Sequence, residues 1–331
     1  MKSLSLEEMQ LSVDQLIHRW GSPISEAVLD SCSYFCVPEI EGFIGYRIAH
    51  QTAIVLGDPI CSPEKKPLLA TAFQKYCQDN HLSCIYFIIS QEFAKWAIKN
   101  LCKIMIEIGD EIFFNPMVDP TIGHKGFKLR NKIHHAMHEG LSFKEYTTPD
   151  PKLEEQILQL GKIWVKARKG PQIYMGNLNF FENRIGRRWF YLQDKDQNIV
   201  AMALLSELEA HDGWLLKYLI TIPKAPRGTS ELLMVSLLEI LRQEECHFLT
   251  YGIVPADHLG ETVGLGKFNI LTVKFLFRVA KWIFRLTQRK FYWQQFHPHF
   301  KGSYLLFSVS SIGIKEIRAL TAAMNIDFSA K

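Results

Sequence analysis

The sequence predicts an α/β (α+β) protein made of two similar halves, each a mixed, mostly antiparallel sheet flanked by helices. Three observations carry this. Short β-rich runs alternate with helical stretches along most of the 331 residues. Near the midpoint, Tyr146-Thr-Thr-Pro-Asp-Pro-Lys152 interrupts the alternation: Pro149 and Pro151 break any element, and Asp150 before Pro151 reads as an N-cap followed by proline in a first helical turn. On either side the elements follow the same loose order of antiparallel strands, helix, strand and further helix. The expected division is residues 1–147 and 148–331.

In the first half, 42–50 and 52–56 read as paired strands ending at Gly57-Asp58-Pro59. Ser62-Pro63 opens a helix to about Asn80. The apolar, β-branched run 82–89 is a buried strand, followed by a helix over 90–101 and a strand over 103–114. A helix over 125–139 is closed by Gly140, and 141–146 returns as a strand. The second half opens with a helix over 151–167. Strands at 189–193, 199–206 and 214–221, joined by the turn-rich 194–198 and 211–213, form an antiparallel meander. A loop at 223–229 leads into a helix over 230–244, then a strand at 247–252, a long helix over 267–287 and a final strand at 304–309.

Composition excludes several classes. At 47% hydrophobic and 22% charged residues the chain is globular rather than disordered. The longest charge-free stretch, Gly302–Ile314, spans 13 residues, short of the roughly 18 needed to cross a bilayer. The polar, acidic start does not fit a signal peptide. Seven cysteines without a second Cys pair to complete a zinc pattern read as reduced thiols, mostly in the core. The net charge of +4 hides an asymmetry: the 54 residues from Thr262 to Lys315 carry nine Lys/Arg and no acid, leaving −5 for the remainder. That is a cue for an acidic partner, with a solvated helix face as the plain alternative.

Four segments are candidates for function. Arg227-Gly228-Thr229-Ser230 lies where a strand gives way to a helix. Gly228 permits close backbone approach, Ser230 can cap the helix, and the free amides with Arg227 suit a phosphate such as that of coenzyme A or a tRNA 3′ end. The helix over 125–140 is basic, with Arg130 among its cations. His134 and His138 share a face but lack a carboxylate partner pattern, so no metal site is expected. In the helix over 267–287, Lys274, Arg278, Lys281 and Arg285 form one stripe opposite a wide apolar face. This suits an anionic bilayer surface, RNA phosphates or a solvated core helix. In the aromatic tail 290–301, His297 and His299 are candidate acid–base groups.

The chain also resembles the C-terminal catalytic domain of bacterial aminoacyl-phosphatidylglycerol (lysyl-phosphatidylglycerol) synthases, from about residue 35 to 310. The resemblance rests on Leu56-Gly-Asp-Pro59, Ile108-Gly-Asp-Glu111, Leu129-Arg-Asn131, Tyr174-Met-Gly-Asn177, Ile199-Val-Ala-Met-Ala203, Ala225-Pro-Arg-Gly228, Thr250-Tyr-Gly-Ile-Val-Pro255 and Phe296-His-Pro-His-Phe-Lys-Gly-Ser-Tyr-Leu305, in that order. It implies two tandem GNAT-like acyltransferase folds and transfer of an amino acid from aminoacyl-tRNA to a lipid hydroxyl. No cofactor is implied beyond that donor. The implied partners are aminoacyl-tRNA and an anionic membrane, at the inner face of the cytoplasmic membrane. The family's large membrane domain has no counterpart in this sequence, so the expectation is a synthase confined to the inner leaflet. On this reading Arg227, Gly228, Thr229, Ser230, Arg130 and Lys290 bind substrate phosphate, Lys217 and Tyr218 line the acyl site, and Tyr251 or His297 handles the proton.

The chain departs from the family at Lys217-Tyr-Leu-Ile-Thr221, where acidic and arginine residues are usual, and at Gln295, Phe300 and Ser303, where lysine, tryptophan and arginine are favoured. Two alternatives follow. One is an acetyl-CoA-dependent N-acyltransferase, disfavoured because the Arg227 loop lacks a second glycine. The other is a non-catalytic tRNA- or lipid-binding relative.

Overall fold

The computed structural model describes residues 6–25, 32–167, 180–181, 184–255, 260–266, 270, 273 and 291–323. The expected helix over 267–287, with Lys274, Arg278, Lys281 and Arg285, lies outside the described residues, as do Lys290 and Tyr174–Asn177.

The first half runs α1 (Leu6–Trp20), β1 (Ser33–Phe35), β2 (Gly42–Ala49), β3 (Thr52–Leu56), β4 (Ile60–Cys61), α2 (Lys66–Asp79), β5 (Ser83–Ser90), α3 (Gln91–Asn100) and β6 (Ile104–Phe114). Then come α4 (Phe127–His138), β7 (Ser142–Tyr146), α5 (Pro151–Ala167), β8 (Arg187–Gln193), β9 (Ile199–Leu208), β10 (Gly213–Thr221) and α6 (Thr229–Gln243). The chain continues through β11 (Phe248–Pro255), β12 (Thr262–Val263), β13 (His299–Phe307) and α7 (Ile314–Ala323).

Two strand–helix–strand units repeat. β3 and β5 pair in parallel across the α2 crossover, and β10 and β11 pair in parallel across α6. A parallel pair needs such a crossover, and a helix provides it while covering the sheet face. The remaining strand pairs are antiparallel, and the described strands form one sheet in the order β1-β2-β3-β5-β13-β6-β11-β10-β9-β8-β7, with β4 on β2 and β12 on β6.

Two placements were not legible. The last strand, β13, inserts between β5 and β6 and bonds to both. Residues 127–146 join the layers of the second half: α4 packs on α6, and β7 pairs with β8. The Pro149–Pro151 break falls between β7, which pairs with β8, and α5, which packs on β9 and β10, so residues 127–146 sit with the strands that follow 147/148. α1 was also not anticipated. Its Val13 and Ile17 pack on Phe43, Ile54 and Leu56 of the first half. Its His18 lies 3.1 Å from Glu207 and 3.0 Å from Glu209 of the second.

The helices are held by their apolar faces. α2 buries Leu69, Ala70, Phe73 and Cys77 against Tyr46, Tyr86 and Phe93, while α6 buries Leu233, Leu237 and Leu241 against Phe190 and Leu205. Phe73 is the centre of an aromatic group, 5.2 Å from Phe35 and 5.0 Å from Tyr46 between ring centroids. Phe73→Ala is expected to cost about 3–5 kcal/mol, read as a lower urea midpoint with unchanged slope.

Candidate active site

Where β3, β5, β6 and β13 meet, the strands leave their regular register. β5 carries an extra residue at Ile88 opposite β13, and β6 carries one at Ile108. Ile88 has φ +61°, a left-handed conformation that is strained for a β-branched side chain. β11 is bulged at Tyr251 against β6. Bulges of this kind re-aim side chains and gather beside active sites. Beside this region opens a cavity of about 560 Å³, closed on one side by Trp20–Ser25, while Ile88 lines a smaller recess that shares Asp58, Ser90 and Glu111 with it.

Asp58 is built into the wall by its neighbours. Gly57 has φ +77°, and a Cβ there would lie 2.5 Å from Ile24 Cγ2, so the turn that delivers Asp58 requires glycine. Asp58 Oδ1 accepts from the Ser90 amide at 2.9 Å, and Oδ2 accepts from Ser90 Oγ at 2.7 Å and Lys66 Nζ at 2.9 Å. Ser90 Oγ in turn accepts from the Phe93 amide, capping α3. The Asp58 carboxylate is thus fully engaged.

Glu111 is placed differently. It sits directly across the β6–β13 pair from Lys301. Thr250 Oγ1 is 3.4 Å from Glu111 Oε1 but 2.8 Å from the Ile112 carbonyl, and its single proton goes to the closer acceptor. Burial pushes the Glu111 carboxyl above the usual carboxylate range; Lys301 and Thr250 oppose this, and Asp58 adds to it. Lys301 Nζ lies 5.2 Å from the Phe113 ring centroid. At the rim His211 stacks on Phe248, and desolvation, then Lys301 and Lys66, lower its imidazole below its ordinary value. The cavity therefore sets a carboxyl whose proton affinity is raised by burial beside two lysines, Lys66 and Lys301. This arrangement can accept a proton and steady a developing or resident negative charge.

The residues singled out from the sequence do not gather here. Tyr218 faces the α5 side of the sheet, edge-on to Phe180, with Lys217 at the β10 bulge 5.9 Å over its ring. Tyr251 lies on the opposite, α6 side against Trp293, and His297 is exposed in a left-handed turn. Strand alternation puts these groups on different faces. Arg130 donates to the carbonyls of Thr121 and Gly123, bracing a turn.

The Arg227–Ser230 loop is closed by the protein itself. Gly228, not Ser230, is the N-cap, with φ +89°, and a Cβ on it would lie 2.0 Å from the Lys132 carbonyl oxygen of α4. Thr229 Oγ1 donates to the Pro226 carbonyl, and the Arg227 carbonyl lies 3.2 Å from His135 Nδ1. Glu231 takes the anion's place beside the helix start. It accepts from Lys132 Nζ at 2.9 Å and from Ser230 Oγ at 3.0 Å, and Lys132 also donates to Gln295 Oε1 at 3.0 Å. Burial works to raise the Glu231 carboxyl, but the Lys132 contact, its own amide and Ser230 outweigh it, and the net shift is downward.

A signal for the cavity was present in the sequence. Asp58, Glu111, Thr250 and Lys301 each belong to one of the segments that carried the family resemblance. Ser303, one of the departures, lies in a smaller recess beside it with its buried hydroxyl unpaired. Among the described residues no three His, Cys, Asp or Glu gather as metal ligands, and no helix is long and apolar enough to cross a membrane.

A model of the family described as phosphatidylglycerol lysyltransferase, C-terminal, matches residues 22–307. The chain belongs to that family. It is similar in structure to the C-terminal domain of a putative lysylphosphatidylglycerol synthetase from Agrobacterium fabrum, with TM-score 0.78 and 17% identity over 99% of both chains. It is likewise similar to the L-PGS of Bacillus licheniformis, with TM-score 0.79 and 16% identity over 98% of both chains. The expected fold class, a mixed and mostly antiparallel sheet flanked by helices, is thus the fold observed, and both of these structures share it. In sequence it is 20% identical over 295 residues to an uncharacterized protein of Corynebacterium glutamicum, covering 85% of this chain and 37% of that relative's length.

The raised Glu111 carboxyl has a consequence for stability. Its folded-state pKa lies above the ordinary 4.5, so the folded protein keeps a proton that the unfolded chain has lost. Stability conferred by that proton is lost as pH rises through the folded pKa. Glu111→Gln should raise the melting temperature at pH 8, with the advantage vanishing near pH 4.5. An advantage of equal size at both pH values would contradict the assignment.

Proposed function

We propose that this chain is an aminoacyltransferase. It moves an amino acid from aminoacyl-tRNA to a hydroxyl of a membrane lipid such as phosphatidylglycerol, at the inner face of the cytoplasmic membrane. The observation that carries the reading is the convergence of Asp58, Glu111 and Lys301, from segments up to 243 residues apart, on one cavity, with the buried Thr250 behind Glu111. Family membership supports the reaction class.

The chemistry asks little in driving force, because one ester replaces another. The lipid hydroxyl oxygen bonds to the acyl carbon, the acyl–ribose bond breaks, and the proton passes from the hydroxyl to the departing ribose oxygen. Glu111 is suited to relay that proton, since burial moves its pKa toward the working range. Lys301 and Lys66 are suited to hold a phosphodiester or the tetrahedral oxyanion. Asp58 positions Lys66 and the start of α3. A non-catalytic tRNA- or lipid-binding role is favoured by one observation: Lys217, Tyr218, Tyr251 and His297 do not converge.

Incubation with radiolabelled aminoacyl-tRNAs and phosphatidylglycerol vesicles, followed by lipid extraction, separates the two. Labelled lipid is expected from the wild type, with Glu111→Gln slower by about 100-fold or more. No labelled lipid from folded protein with any aminoacyl-tRNA would sink the enzymatic reading.

A further inference from the structure

The turn between β6 and α4 presents apolar side chains to solvent on a closed scaffold. Ile122 is 71% exposed and Phe127 55%, with Met117 and Val118 also exposed nearby. These side chains are held outward by an ordered loop. Asp119 Oδ1 accepts from the Thr121 amide at 2.8 Å and from Thr121 Oγ1 at 2.7 Å. Arg130 gathers the Thr121 and Gly123 carbonyls, and Gly126 lies so close to Thr121 that a Cβ would sit 2.2 Å from its carbonyl oxygen. At the tip, a Cβ on Gly123 would meet nothing within 4 Å, so the turn stands clear of the body.

The chain from the apex of the tip into α4 is basic, while the acids at its base, Asp119 and Glu239, are both held by Arg242. Between Asp119 and Glu139 the chain carries no acid and four Lys/Arg. Arg130 and Lys132 are committed internally, whereas Lys125 and Lys128 are exposed beside Ile122 and Phe127. The acidic Asp119 faces inward, 3.9 Å from Arg242. Aliphatic and aromatic groups at a tip flanked by lysines match the acyl boundary and headgroups of an anionic bilayer. RNA fits less well, because an isoleucine at the apex offers neither a stacking face nor a charge to phosphate.

We propose that residues 117–128 form a membrane-docking tip that inserts Ile122 and Phe127 at the acyl boundary of an anionic bilayer, with Lys125 and Lys128 on its phosphates. The choice of partner rests on the lipid-directed reading above, but the surface is testable without turnover. The test is flotation of the full chain with vesicles of phosphatidylglycerol and phosphatidylcholine, and with phosphatidylcholine alone, in the absence of tRNA.

Ile122→Ser with Phe127→Ser should lower partitioning onto anionic vesicles at least about tenfold. Lys125→Glu with Lys128→Glu should lower it roughly 25-fold, since each lysine near an anionic surface is worth about fivefold. Melting temperatures should not change, and Ile163→Ser, at an exposed position on α5, should bind as wild type. A wild type that fails to float with anionic vesicles would overturn the proposal. So would loop variants that float within twofold of it, or variants that lose tRNA binding while keeping vesicle binding. Labelled lipid formed with no dependence on the loop defeats this surface and leaves the transfer reading standing; loop-dependent flotation without labelled lipid does the reverse.

Discussion

The two-sided hydrogen bonding of β13 is the constraint on which the rest depends. Its backbone satisfies β5 on one side and β6 on the other, and so joins β1–β5 to β6, which in turn pairs with β11 and carries the sheet on to β7. Without it both neighbours would present open edges, which proteins ordinarily cover or blunt. The same strand supplies Lys301 opposite Glu111 and Ser303 between Ser90 and Gly109. Closing this contact brings together residues about 200 apart in sequence, so the cavity is complete only when the whole described fold is. Long-range pairings of this kind form late and slowly relative to local helices.

Strain and rigidity coincide around the cavity. The irregular positions Ile88, Ile108 and Tyr251 lie on central strands with neighbours on both sides, where a bulge breaks ladder pairing that would otherwise be continuous. Gly57 allows a turn no other residue would adopt without displacing Ile24. Side chains carried on packed strands are positioned more closely than those on loops. α1 adds a clamp across the join: its apolar face lies on the first half, while His18 reaches two glutamates of the second.

Local elements were largely legible because their signals are local. The helix over 151–167 is bounded as the Asp150-Pro151 cap implies, and Asp150 Oδ1 accepts from the Lys152 amide. The Gly140 break and the strand after it follow from left-handed glycine geometry at a helix end. The destination of β13 was not legible, since nothing in an antiparallel strand's composition names its partners. The site was half legible. The segments holding Asp58, Glu111 and Lys301 were recognised, but roles were assigned to Lys217, Tyr218, Tyr251 and His297 by residue type in the other half. Strand alternation and the bulges at Lys217 and Tyr251 decide which face the strand residues occupy, and neither is visible without the pairing register. The Arg227 loop is ambiguous for a related reason: a glycine that admits a ligand and a glycine that admits another helix, as Gly228 admits α4, look alike in sequence.

Three carboxylates show how environment divides their work. Asp58 has a cation and two Ser90 donors and serves as a fixed brace. Glu231 has Lys132 and Ser230 and stays ionised as an internal anion at a helix start, where its charge also meets the positive end of the α6 dipole. Glu111 is half-buried with its nearest hydroxyl better bonded elsewhere, and desolvation tilts its equilibrium toward the protonated form. The two firmly bonded carboxylates hold structure, and the more weakly held Glu111 can exchange a proton at modest cost. That asymmetry, more than residue type or motif, points to Glu111 as the group on which the chemistry of the cavity turns.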